Sequence, residues 1–196
     1  MAQTYEALDD KLVAFVTAQP VFFVATAPEH GGHVNVSPKG YADTFAVLGP
    51  RTVAYLDLTG SGVETVAHLR QNGRITLMFC AFGGPPKIVR LYGTGRVVVP
   101  GDAGWDELAA RFGPRSGARA VVVVDLERIA DSCGYALPFM DYASERDLLE
   151  DSHRRKGPDR LEADRAERNA ASIDGLAGLA GLPGSRALPT QEGAVG

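Results

Sequence analysis

Between residues 21 and 129 six short runs rich in β-branched and aromatic residues follow one another, joined by turns and by stretches long enough only for small helices. Short runs at that spacing build an antiparallel barrel rather than alternating βαβ units. VFFVATA (21–27) is continuous, whereas HVNVSPKG (33–40) alternates, with Val34 and Val36 on one face and Asn35 and Ser37 on the other. The PEHGG turn between them makes the pair a hairpin. RTVAYLDL (51–58), RITLMFCAF (74–82), KIVRLYGTGRVVV (87–99) and ARAVVVVDLERI (118–129) supply the remaining strands. Gly93 and Gly95 suit a barrel corner or a bulge, and Val121–Val124 read as buried on both faces. Short helices are expected over 5–18 and 63–71, the second closed by Asn72-Gly73 as a left-handed cap, and 100–113 is expected to form a loop and a short helix. The expected fold class is mainly β with peripheral helices.

Beyond Ile129 the pattern changes. Residues 1–142 are expected to form the barrel, and 143–175 a charge-rich helical extension broken at Gly157-Pro158. Residues 176–196 are expected to be a disordered tail, because Gly, Ala, Pro and Ser leave few large apolar groups to bury. The 196-residue length suits one domain with an appendage, and a net charge of -4 argues against nucleic-acid binding. No apolar run is long enough for a membrane span, and the acidic start lacks the apolar core of a signal peptide. Cys80 and Cys133 form neither a CxxC pair nor a metal spacing, so reduced thiols and a cytoplasmic protein are expected.

The most informative chemistry lies in YLDLTGSGVETVAHLRQNGR (55–74). A glycine-containing loop feeding a helix start presents unpaired N–H groups, a natural phosphate site, to which the hydroxyls of Thr59, Ser61 and Thr65 add donors. Equally, Ser61 and Glu64 fit a capping box that merely closes the helix end. In VNVSPKGY (34–41), Asn35, Ser37 and Lys39 offer hydrogen bonds and charge to a ligand, or are the wet face of a hairpin. His30, His33, His68 and His153 do not cluster, so no metal site is expected, and no GxSxG elbow or Cys/His pairing suggests a hydrolase.

Taken in order, SPKG (37–40), YLDLTGSG (55–62), HLRQNGRITLMF (68–79) and RLYGTGRV (90–97) resemble the pyridoxamine 5′-phosphate oxidase family in its broad sense, across about residues 20–135. The pieces SCGYALP (132–138) and RNAASIDGL (168–176) resemble the C-terminal extension of its actinobacterial-type branch. The resemblance implies a six-stranded split barrel, a homodimer, and flavin mononucleotide (FMN) held between subunits, or a deazaflavin coenzyme in some branches. It implies flavin contacts from Val34, Asn35, Val36, Ser37 and Lys39, then from Leu56 and Asp57, and a phosphate loop from Ser61 and Gly62 through Val63 to Thr65. Two departures stand out. Glu64 and Thr65 occupy positions where the oxidase that names the family has adjacent basic residues, and its C-terminal arginine–histidine substrate motif is absent. The implied activity is an FMN-dependent oxidoreductase acting on a small molecule other than pyridoxamine phosphate. The alternatives are a deazaflavin-dependent reductase, or a flavin- or haem-binding protein without turnover.

Overall fold

The computed structural model describes residues 3–183. Its twelve elements are β1 (Gln3–Tyr5), α1 (Asp10–Thr17), β2 (Phe22–Thr26), β3 (Asn35–Lys39), β4 (Phe45–Gly49), β5 (Thr52–Leu58), α2 (Glu64–Asn72), β6 (Arg74–Cys80), β7 (Ile88–Val98), α3 (Trp105–Ala109), β8 (Ala118–Ser132) and α4 (Leu148–Arg168). All pairings are antiparallel, in the order β3-β2-β6-β7-β8-β5-β4, with β1 beside the far end of β8. The sheet curls until its ends approach, and Lys39 on the edge strand β3 reaches Asp57 on β5. No ladder joins β3 to β4 among the described residues, so the barrel is split there.

Alternation along the strands explains the packing. On β8, Val122 and Val124 point into the barrel core with Val24, Tyr55, Leu77, Phe79 and Leu91, while Val121 and Val123 pack outside with Leu56 and Phe112. The expectation that Val121–Val124 are covered on both faces holds. Phe22 stacks on Phe79 at 5.3 Å, and Phe45 meets the same ring edge-on at 5.0 Å. The bulge expected near Gly93 falls between Tyr92 and Gly93. A Cβ there would lie 2.1 Å from the Asp125 carbonyl oxygen, so only glycine lets β7 approach β8.

The described residues form eight strands where six were expected. β4 escaped detection because all five of its residues are half-buried, which leaves no period-2 contrast. β1 is three residues long and exists through its pairing with Ile129–Asp131. There the Tyr5 hydroxyl donates to Asp131 Oδ2 at 2.7 Å, and that bond, with some burial, pushes the Tyr5 pKa up to about 12. The first helix accordingly starts at Asp10 rather than residue 5, with Asp9 Oδ1 accepting from the Leu12 N–H at 2.8 Å. Asp9→Ala should lower stability by about 1 kcal/mol, a cap's usual worth. Thermal melting checks this, with a fall of about 2–4 °C expected.

The first part of the tail expected from residue 176 is packed against the barrel. Gly178 N–H donates to Ala170 O and Leu179 N–H to Asn169 O, both at 2.8 Å, and Leu179 is buried against Val63 and Val66. Arg70 Nη1 donates to the carbonyls of Gly178 and Ala180. One leucine suffices because a matching apolar patch awaits it. The rest of the expected tail, 184–196, lies outside the described residues. Gly157 breaks α4 as the sequence suggests, with φ 71° and ψ 172°.

Candidate functional site

The split in the barrel is lined by side chains that β3 turns inward. Because neighbours on a strand point oppositely, Asn35, Ser37 and Lys39 face the seam and are half-buried, whereas Val36 is exposed on the other face. Asn35 Nδ2 donates to Thr65 Oγ1 on the first turn of α2 at 3.0 Å and to Thr26 Oγ1 on β2 at 3.2 Å. Ser37 Oγ donates to Asn35 Oδ1 at 2.9 Å. The Thr26 hydroxyl shares a 2.9 Å hydrogen bond with His68 Nδ1, and burial pulls the His68 pKa below the ordinary histidine value. His68 Nε2 is buried and has no hydrogen-bond partner among the described residues.

Beside this neutral cluster lies an ionic one. Lys39 Nζ donates to Asp57 Oδ1 at 2.6 Å, and Arg119 Nε to Asp57 Oδ2 at 2.7 Å. Arg119 continues through Nη1 to Asn169 Oδ1 and through Nη2 to the Gly62 carbonyl, both at 2.8 Å. Asn169 Nδ2 returns to the Gly60 carbonyl at 3.1 Å. Burial pushes the Asp57 carboxyl up, but Arg119 and then Lys39 outweigh it, and its pKa falls to about 2. Two cations thus surround one carboxylate, and only the Lys39 side chain, 20% exposed, reaches the surface. The cluster carries a net positive charge able to receive an anion or a polarised oxygen.

The structure gathers five of the suggested residues, Asn35, Ser37, Lys39, Asp57 and Thr65, along one seam. The others lie apart. Val34 is exposed, Leu56 packs with Ala54 and Val98 in the outer cluster, Ser61 is exposed on its loop, and Val63 is buried beneath Leu179. Gly62 offers its carbonyl to Arg119. The capping box does not form: Val63 is the N-cap and makes no side-chain cap bond. Glu64 instead folds over Gly62 and accepts the Ile173 N–H at 3.3 Å. A carboxylate and the chain's own 169–179 segment therefore stand over the start of α2. Sequence reasoning missed Arg119 and Asn169, although a single arginine in the apolar run ARAVVVVDL was a visible signal.

Fold and site together define an antiparallel split barrel whose seam carries a hydrogen-bonding row and a buried ionic cluster. The sequence profile of the family described as pyridoxamine 5′-phosphate oxidase matches residues 8–133. The chain belongs to that family. It is 49% identical over 140 residues to the pyridoxamine 5′-phosphate oxidase family protein ustO of Aspergillus flavus, an alignment spanning 70% of this chain and 56% of the relative. The chain thus spans little more than half the length of that curated relative. Among solved structures, HupZ of Group A Streptococcus superposes with a TM-score of 0.48 at 23% identity, covering 62% of this chain and 91% of the other. The FAD binding protein from Mycobacterium smegmatis gives 0.45 at 15%, covering 65% and 97%.

Proposed function

We propose that this chain is a flavin-dependent oxidoreductase with FMN as its cofactor, held along the seam between two copies of the chain in the cytoplasm, and acting on a small molecule. Family membership supports the flavin. The observation that carries the reading is the inward row Asn35, Ser37 and Lys39 on an edge strand whose outer face exposes Val36 to 61%. A polar row of this kind suits the nitrogen- and oxygen-rich edge of a planar ring, and the exposed outer face suits a partner.

The seam fits a flavin ring better than it fits a phosphate at the start of α2. Lys39 spends one of its three N–H donors on Asp57, leaving two for a ligand oxygen. Asn35 is held by Thr26 and Thr65, so its amide is oriented before any ligand arrives. At the helix start, Glu64 repels an anion and Leu179 covers Val63, so the anionic end of the cofactor belongs near Lys39. When bound, the isoalloxazine supplies hydride or electron transfer, and the protein contributes orientation, hydrogen bonds and exclusion of water.

The absorbance spectrum of the purified protein tests this reading. Oxidised flavin bands with about one FMN per chain are expected. A Soret band, a deazaflavin spectrum or no chromophore uptake would overturn it. Lys39→Ala should weaken FMN binding roughly ten- to a hundredfold by titration, the worth of a charge-assisted contact. Unchanged affinity would remove Lys39 from the site. Light scattering should give a dimer; a flavin-loaded monomer would contradict an interfacial site.

A further inference from the structure

A cavity of about 670 Å³, bordered by Arg119 but not by Asp57, lies between α4, the start of β8 and residues 179–183. Its size is that of a small-molecule pocket, about 300–1,000 Å³. Val99, Leu161 and Leu179 provide apolar walls, and Arg119, Arg165 and Glu162 provide the charge. The two arginines differ in their partners. Arg119 is ion-paired with Asp57. Arg165 donates to Thr59 Oγ1 at 2.8 Å and to the Ala118 carbonyl at 3.0 Å, and no carboxylate among the described residues forms an ion pair with it. Burial, and then repulsion by Arg119, pull its pKa below the ordinary arginine value, while Glu162 acts on it only from a distance. A half-buried guanidinium that hydrogen-bonds only neutral acceptors, with Glu162 on the same cavity but not in ion-pair contact, has donors and charge left for an anion.

We propose that this cavity binds a small organic monoanion with an apolar body, a carboxylate on an aliphatic or aromatic frame, and that Arg165 is its counter-ion. The site is separate from the seam and does not depend on the flavin reading. Arg119 borders both, so an anion beside Arg165 also relieves repulsion on the Lys39–Asp57–Arg119 cluster.

The full chain is titrated with 8-anilinonaphthalene-1-sulfonate, followed by fluorescence, with octanoate and octan-1-ol as competitors. One saturable site per chain is expected, with octanoate displacing the probe at least about tenfold more effectively than the alcohol. Ala166→Phe places a ring into the cavity from α4 and should abolish that binding. Arg165→Gln should weaken octanoate about tenfold or more and leave the alcohol unchanged. Absence of saturable binding, equal binding by Ala166→Phe, or equal competition by alcohol and acid would each overturn the proposal. Because the readout is the probe, these outcomes stand whether or not the seam takes a flavin.

Discussion

Replacing Asp57 with alanine is expected to lower stability by roughly 3–5 kcal/mol, because it strands buried cations without their counter-ion. Arg119 is only 5% exposed and tied to Asn169 and Gly62, so it cannot swing into water, whereas Lys39, 20% exposed, can partly escape. For a chain of this size that loss is a melting-temperature fall of about 10 °C. A change below about 2 °C would show that the cluster does not hold the split barrel together. Acid supplies a second test. The Asp57 pKa is about 2 in the folded chain against 3.8 for an unperturbed aspartate. A depressed carboxyl adds stability above its unfolded pKa and loses it as pH falls through the folded one, so the window runs from about pH 4 down to 2. A depression of that size is worth about 2 kcal/mol. The stability difference between the native chain and Asp57→Asn should therefore shrink by about that amount across the window. A constant difference would mean that Asp57 is not the titrating group.

Ending the chain after Leu176 is expected to cost roughly 3–5 kcal/mol, although the composition of residues 176–196 suggests no loss at all. Burial of Leu179 alone is worth about 2 kcal/mol. Its removal also uncovers Val63, Val66 and Val99, exposed by 1%, 0% and 3%. Arg70 loses both carbonyl partners, and the Asn169 backbone loses its bond to Leu179. The melting temperature should fall by about 10 °C. Leu179→Ala in the full chain should reproduce roughly half of this. A truncated chain that melts like the full one would show that residues 177–183 add nothing to the fold.

Much of the barrel was written in local pattern. The β-branched runs at 22–26, 52–58, 74–80, 88–98 and 118–132 became strands, and Gly73 became the left-handed cap of α2, its φ at 70°. These features depend on period, turn chemistry and conformational freedom, which neighbouring residues supply. β1 was illegible for the opposite reason: three polar residues at the start of the chain become a strand only beside Asp131.

The seam shows the same division. Alternation in HVNVSPKG determined that Asn35, Ser37 and Lys39 share a face, and residue type determined that they could bond a polar ligand. Tertiary structure alone decided that Asp57 meets Arg119 across 62 residues, that Asn169 joins them from 50 residues further on, and that Leu179 covers Val63. Propensity and periodicity are properties of short windows, and no local rule contains those distances. Asp57 keeps its charge in the interior only because Arg119 and Lys39 outweigh the cost of burial, and the start of α2 is covered by residues more than 100 positions further along the chain.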